Sequence, residues 1–198
     1  MTLFYRGRRC KHRKTGVFYE KGWGNGLLSR PCVFHTGSEP DDIRPIVEGE
    51  IAQGWQSHME KYEMRIQHQK EGKSVSLVAA YGSAVMGYIN VYPDSKWGAF
   101  ANQGYPEIVD FVVLEKYRRN GVGSKLMDIA ERIASGYASM VYLGVGMHSV
   151  YGSAQRMYIK RGYIPDGTGV WYGEKICKPY ANCRNDDDLV LYLFKFLR

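Results

Sequence analysis

The stretch that most constrains this chain runs from Glu107 to Arg132, EIVDFVVLEKYRRNGVGSKLMDIAER. Ile108, Val109, Phe111, Val112, Val113 and Leu114 make a β-branched and aromatic run that reads as a strand buried on both faces. Arg118-Arg119-Asn120-Gly121-Val122-Gly123 then breaks the strand, and Val122, Leu126, Ile129, Ala130 and Ile133 recur at helical spacing. Two glycines where a helix begins let the backbone approach a ligand closely. The N–H groups of the first turn and the positive end of the helix dipole suit an anion there. The spacing excludes two phosphate loops. There is no GxxxxGK[ST], and Leu126 stands where the third glycine of GxGxxG would be. What remains is Arg118-x-x-Gly121-x-Gly123 between a strand and a helix.

Downstream stands Ala154-x-x-x-Tyr158-x-x-x-Gly162-Tyr163, an amphipathic pattern stopped by glycine. In this order, with a strand between them, the two patterns resemble the motifs of the GCN5-related N-acetyltransferases. One position departs: Tyr151 stands where the family has an Asn that contacts the pantetheine arm, and Ser153 is the residue nearby that could replace it. The resemblance implies acetyl-CoA as co-substrate, an amine as acceptor, direct transfer in a ternary complex, and no metal. It implies that Arg118, Arg119, Asn120, Gly121, Val122, Gly123 and Ser124 hold the pyrophosphate, and that Phe111, Val112 and Val113 pair with the pantetheine. Tyr158 would then protonate the leaving thiolate. The ammonium form of the acceptor must lose a proton before it attacks. Glu107 is the first candidate base, since Glu107-Ile108-Val109 matches the start of the same strand in the family's histone branch. Asp110 is the second, and water alone is the third. Glu107 and Asp110 face opposite sides of a regular strand, so they share a cleft only if a bulge intervenes.

Taken in order, Thr15–Leu28 suggests a small hairpin, and Pro31–Thr36 a strand. A helix over Ile43–Gly54, capped by Asp41 or Asp42 with Pro45 in its first turn, precedes a second over Trp55–Lys70. Strands follow over Ser74–Tyr81 and Val85–Tyr92, then a loop over Pro93–Gly104, the central strand and the cofactor helix. Val141–Val145 is a further strand and Ser153–Arg161 a helix. Tyr163–Pro165 and Val170–Tyr172 flank a loop, and Leu189–Phe196 is the last strand. The mixture of hairpins with one βαβ crossover predicts an α/β (α+β) fold, GNAT-like and three-layered, with a mixed, mostly antiparallel central sheet around a βαβ acetyl-CoA-binding core.

At 198 residues and 44% apolar, the chain suits one acetyltransferase domain over 31–198 with a basic extension over 1–30. The net charge of +7 sits in that extension, where eight basic residues face Glu20 alone. Its ordinary reading is a solvated tail, which weighs against nucleic acid as a partner; an RNA- or ribosome-associated modifier stays open. No run of about 18 apolar residues exists, so no membrane span is expected. Four cysteines without a CxxC pattern read as reduced thiols in a cytoplasmic protein. The Asp186-Asp187-Asp188 run and Glu174 could draw a cationic amine, although a solvated turn is the ordinary reading. Trp97, Phe100, Tyr105, Trp171, Tyr172 and Tyr180 lie in loops suited to an acceptor cleft. His148 could relay protons, although a lone His is more often structural. A homodimer and a non-catalytic acyl-CoA sensor also stay open.

Overall fold

The computed structural model describes residues 17–20 and 32–197, with the backbone alone described for 17–20 and Cys32. The basic extension and most of the expected hairpin over 15–28 lie outside the described residues. The chain divides into two compact units. One takes the residues up to Ile89 with Val112–Leu126, and the other takes Asn90–Phe111 with Met127 onward.

In the first unit, β1 (Val17–Glu20) and β2 (Cys32–Thr36) are followed by α1 (Pro40–Ala52) and α2 (Met59–Lys70). Then come β3 (Val75–Tyr81) and the larger part of β4 (Ala84–Tyr92), with neighbours in the order β1-β2-β3-β4. β1–β2 and β2–β3 are antiparallel. Ile43, Ile46 and Val47 of α1 pack with Tyr62 and Ile66 of α2 on Val78, Val85 and Tyr88 of the strands. Inside this apolar cluster, Glu50 is 5% exposed. A buried carboxylate is tolerated only when hydrogen-bonded. Here Ser57 Oγ, Tyr62 Oη and Tyr88 Oη donate to it at 2.6, 2.5 and 2.6 Å. The Glu50 side chain thus ties the end of α1 to α2, to β4 and to the link between the helices.

Two expectations for this unit need correction. α1 begins at Pro40, not beyond Asp42, and Asp42 serves as the third helical residue, its Oδ2 accepting from the N–H of Glu39 at 2.9 Å. Pro40 takes the first helical position, where its missing donor is harmless. Pro45 therefore falls inside the helix, where the carbonyl it leaves unbonded is that of Asp41, an exposed residue. The second helix begins at Met59 rather than Trp55, because Gly54, at φ +85°, turns the chain out of α1.

In the second unit the strand order is β5-β6-β9-β7-β8, with β5 (Glu107–Val113), β6 (Met140–Gly146), β7 (Ile164–Tyr172), β8 (Lys175–Ile176) and β9 (Leu189–Phe196). α3 (Val122–Ser135) crosses from β5 to β6, which makes this pair parallel, and α4 (Gly152–Lys160) follows β6. β6–β9, β9–β7 and β7–β8 are antiparallel. The α+β class with a mixed, mostly antiparallel sheet is therefore as expected. Glu131 of α3 holds Arg161 Nε at 2.9 Å and Lys195 Nζ at 2.7 Å, which fixes the end of α4 and β9 to α3.

Two further corrections fall here. Residues 166–169 lie inside one strand, β7, and its register with β9 shifts between Pro165 and Val170 around Gly167 and Gly169 at φ +86° and +91°. The glycines that signalled a loop instead form a bulge. β5 is also not buried on both faces. Glu107 and Ile108 are buried, while Val109 through Val113 are half-buried. The half-buried residues are those beyond Ile108, where pairing with β6 ends, and Asp110 among them has φ +51°, outside regular strand geometry.

Candidate active site

The glycine turn belongs to the first unit. Leu114 N donates to Met86 O at 2.9 Å, which holds the end of β5 on β4. A short 3-10 turn, Glu115–Tyr117, leads into Arg118. Arg119 takes φ +61° and Gly121 φ +72°, two left-handed residues around Asn120. Asn120 Nδ2 donates to the carbonyls of Arg118 and Tyr117 at 3.2 and 3.4 Å, closing the turn. The α3 ladder opens with Lys125 N donating to Gly121 O at 3.1 Å. The N–H groups of Val122, Gly123 and Ser124 therefore lie ahead of the first intrahelical bond, where an anion is favoured. A non-glycine residue in the left-handed region costs about 1 kcal/mol or more, and such strain gathers at functional sites. Arg118 is already occupied. Its Nε donates to Val113 O at 3.0 Å and its Nη1 pairs with Glu115 at 3.3 Å. Arg119 is exposed. Val112 packs against the apolar cluster of this unit.

The expected catalytic residues belong to the second unit. Glu107 is 5% exposed, and Ser95 Oγ donates to its Oε2 at 2.5 Å. Ser95 also accepts from Trp97 N at 3.2 Å, and Trp97 O accepts from Tyr142 Oη at 2.7 Å. Glu107 thus stands on a framework built from the loop before β5 and from β6. Asp110 is half-buried, and Asn90 Nδ2 donates to its Oδ2 at 3.4 Å. Asp110 takes φ +51°, outside regular strand geometry, and each of the two carboxylates has its own partner. β5 and β6 pair only at Glu107↔Tyr142 and Ile108↔Leu143, whereas β6 and β9 pair from Met140↔Phe196 to Gly146↔Val190. The pairing of the two parallel strands thus ends at Ile108.

Tyr158 is 5% exposed on α4. Its ring lies 6.3 Å from that of Phe111 and 5.8 Å from that of Tyr163. Burial first, then the neighbouring Tyr151 phenol, pushes the Tyr158 hydroxyl well above the ordinary tyrosine range. It therefore keeps its proton at any pH where an acetyltransferase would work. The expected substitute for the missing Asn, Ser153, lies exposed in the first turn of α4. Gln155, which the sequence did not single out, donates from Nε2 to Gly146 O at 2.8 Å.

His148 is not alone. Asp187 Oδ1 meets His148 Nε2 and Tyr151 Oη, each at 2.9 Å, and the Tyr151 ring lies flat on Gly146, where a Cβ would come within 2.3 Å. These bonds hold the Asp187 carboxyl below its usual range. The acidic run is thus a solvated turn, as its ordinary reading has it, with Asp187 exposed and bonded to His148 and Tyr151. Tyr192 fits a slot left by Gly98 and Gly144, with Trp171 edge-on at 5.2 Å. Burial, with Glu107 next, pushes its phenol up to about 12.

Tyr142, Tyr158 and Tyr163 are likewise raised, each mainly by burial. In the unfolded chain these phenols ionise near 10. Their contribution to stability is therefore complete below about pH 10 and is lost as pH climbs beyond it. Denaturant midpoints are expected to hold from pH 8 to about 10 and to fall steeply by about pH 11; a flat profile would contradict the burial of these hydroxyls. Among the described residues, no three His, Cys, Asp or Glu side chains group as metal ligands, no helix is long and apolar enough to cross a membrane, and Cys177 and Cys183 are thiols.

The Acetyltransferase (GNAT) family model matches residues 41–163. No curated protein sequence matches the chain significantly. Among solved structures, NAA60 of Arabidopsis thaliana in complex with acetyl-CoA is 16% identical, with a TM-score of 0.60 over 83% of this chain and 98% of that one. Ard1 from Thermoplasma volcanium is 18% identical, with a TM-score of 0.59 over 83% and 98%. A ribosomal-protein-alanine N-acetyltransferase from Brucella melitensis is 13% identical, with a TM-score of 0.59 over 81% and 98%. Identities this low establish a shared fold and nothing finer.

Proposed function

Because the chain belongs to the Acetyltransferase (GNAT) family, we propose that it moves the acetyl group of acetyl-CoA directly to a primary amine of a small molecule or peptide. The observation that carries this reading is that the family match over 41–163 takes in both motif stretches, the turn at 118–124 and the helix bearing Tyr158. In this reading the N–H groups at Gly121–Ser124 hold the diphosphate, and the half-buried segment Phe111–Val113 lies along the pantetheine. Glu107 takes a proton from the acceptor ammonium, with Asp110 as the alternative base. The freed nitrogen bonds to the acetyl carbon, the carbon–sulfur bond breaks, Tyr158 passes its proton to the departing thiolate, and the second proton that the nitrogen sheds as the amide forms returns to the Tyr158 phenolate through solvent. A phenol whose ionised form is disfavoured is a poor acid in the resting state. It becomes useful only as thiolate charge develops beside it, which is where general acid catalysis acts. The remaining carboxylates of the 186–188 turn and Glu174 favour a cationic acceptor over an anionic one.

The test is thiol release from acetyl-CoA against polyamines, aminoglycosides, amino acids and peptide N-termini. Release with one amine class supports the proposal. CoA binding with no release in any arm would instead make the chain a sensor. With an acceptor in hand, Tyr158→Phe is expected to lower kcat by about 10²-fold with KM for acetyl-CoA nearly unchanged. An unchanged kcat would remove Tyr158 from the chemistry.

A further inference from the structure

The end of α1 and its link to α2 meet the approach to the glycine turn at three places, all within the first unit. Gly49 lies flush on Leu114, where an added Cβ would meet the Leu114 side chain at 2.5 Å. Gln53 Oε1 accepts from Glu115 N at 2.9 Å, although 62 residues separate them in sequence. Trp55 presents its ring to the Arg118 guanidinium at 5.9 Å. The link is itself held down. Trp55 N donates to Glu50 O at 3.0 Å, and Ser57 donates to the buried Glu50 carboxylate. An extended, half-solvated arginine is thus fixed at its Nε, at its Nη1 and on one face.

Arg119, the next residue, is placed differently. Its backbone is left-handed, and although both arginines are exposed, Arg119 makes no ion pair among the described residues. Two adjacent arginines of one motif therefore sit in unlike environments.

We propose that they have separate roles: Arg118 is a positioning residue, clamped from the α1–α2 link by Gln53 and Trp55, and Arg119 supplies the full charge that meets the diphosphate. This rests on the reading that the turn at 118–124 holds the diphosphate of CoA. The physical ground is that the Glu115 carboxylate beside Arg118 offsets part of its field at an incoming anion, and its Nε is taken by a carbonyl, whereas Arg119 has no carboxylate partner among the described residues. The clamp matters because a ring face under a guanidinium restricts its orientation, and the turn begins at that residue.

The experiment is calorimetric binding of CoA at low and high ionic strength to the full chain, with melting temperature measured alongside. Arg119→Ala is expected to raise Kd about tenfold at low salt and to flatten the salt dependence, with Arg119→Lys recovering most of both. Trp55→Ala is expected to raise Kd several-fold without changing the salt dependence. Trp55→Phe, which keeps an aromatic face, should restore affinity, and Arg118→Ala should add nothing further in the Trp55→Ala background. Should Trp55→Ala fail to fold, Gln53→Ala tests the same clamp from its other contact. Gly123→Val separates the two levels of the argument. If it weakens CoA while Arg119→Ala leaves Kd unmoved, or while Arg118→Ala flattens the salt dependence as much as Arg119→Ala, the division of roles is overturned and the turn stands. If Gly123→Val leaves CoA affinity unchanged, the diphosphate reading falls, and the division falls with it.

Discussion

Glu107→Gln is expected to lower kcat/KM for amine acetylation by about 10²–10⁴-fold while leaving CoA affinity within about twofold. The amide keeps the size of the carboxylate and can still accept from Ser95 Oγ, so the framework that holds position 107, from Ser95 to Trp97 to Tyr142, stays in place. What is lost is proton affinity. Steady-state kinetics across pH with the acceptor found by thiol release is the measurement. Asp110→Asn, run in parallel, allots the role. A large loss in that variant with little in Glu107→Gln moves the base to Asp110, and modest losses in both leave the proton to water. The alkaline side should carry no limb from Tyr158 up to about pH 10, because burial holds that phenol above its ordinary range.

Gly123→Val should raise the acetyl-CoA KM by about 10- to 100-fold with the melting temperature nearly unchanged. Position 123 lies in the first turn of α3, ahead of the opening bond from Lys125 to Gly121. A branched side chain there stands between the backbone and any group approaching the first-turn N–H donors. Losing one such charge-assisted bond costs about 1.5–3 kcal/mol, and about 1.4 kcal/mol is a factor of ten. The fold tolerates the change because a first-turn residue is half outside the ladder. KM for acetyl-CoA is the readout, and a value close to wild type would mean that the anion binds elsewhere.

Much of the architecture was readable from periodicity. The β-branched run before Arg118 and the helical recurrence of Val122, Leu126, Ile129 and Ala130 gave the places of β5 and α3, although the run read as buried on both faces and only Glu107 and Ile108 of β5 are buried. The Gly-rich turn was readable because few residue types fit there. Contacts between distant segments were not readable. Ser95 beneath Glu107, Asn90 beside Asp110, and Asp187 between His148 and Tyr151 join side chains from separate segments, and no local pattern marks them. Pro45 misled because a proline is usually a first-turn residue, and here Pro40 had already taken that place. Gly167 and Gly169 misled because glycine marks a bulge as readily as a loop.

The backbone at Asp110, at φ +51°, also restricts which experiments on that position can be interpreted. A saturation library at codon 110 would be filtered by conformation before chemistry is felt. Asn and Gly accept the left-handed region readily, Ala carries a penalty, and Val, Ile or Thr would be largely depleted for foldability alone. Dead alanine or valine clones at 110 would therefore say nothing about proton transfer, and only the asparagine and glycine clones could be scored for it.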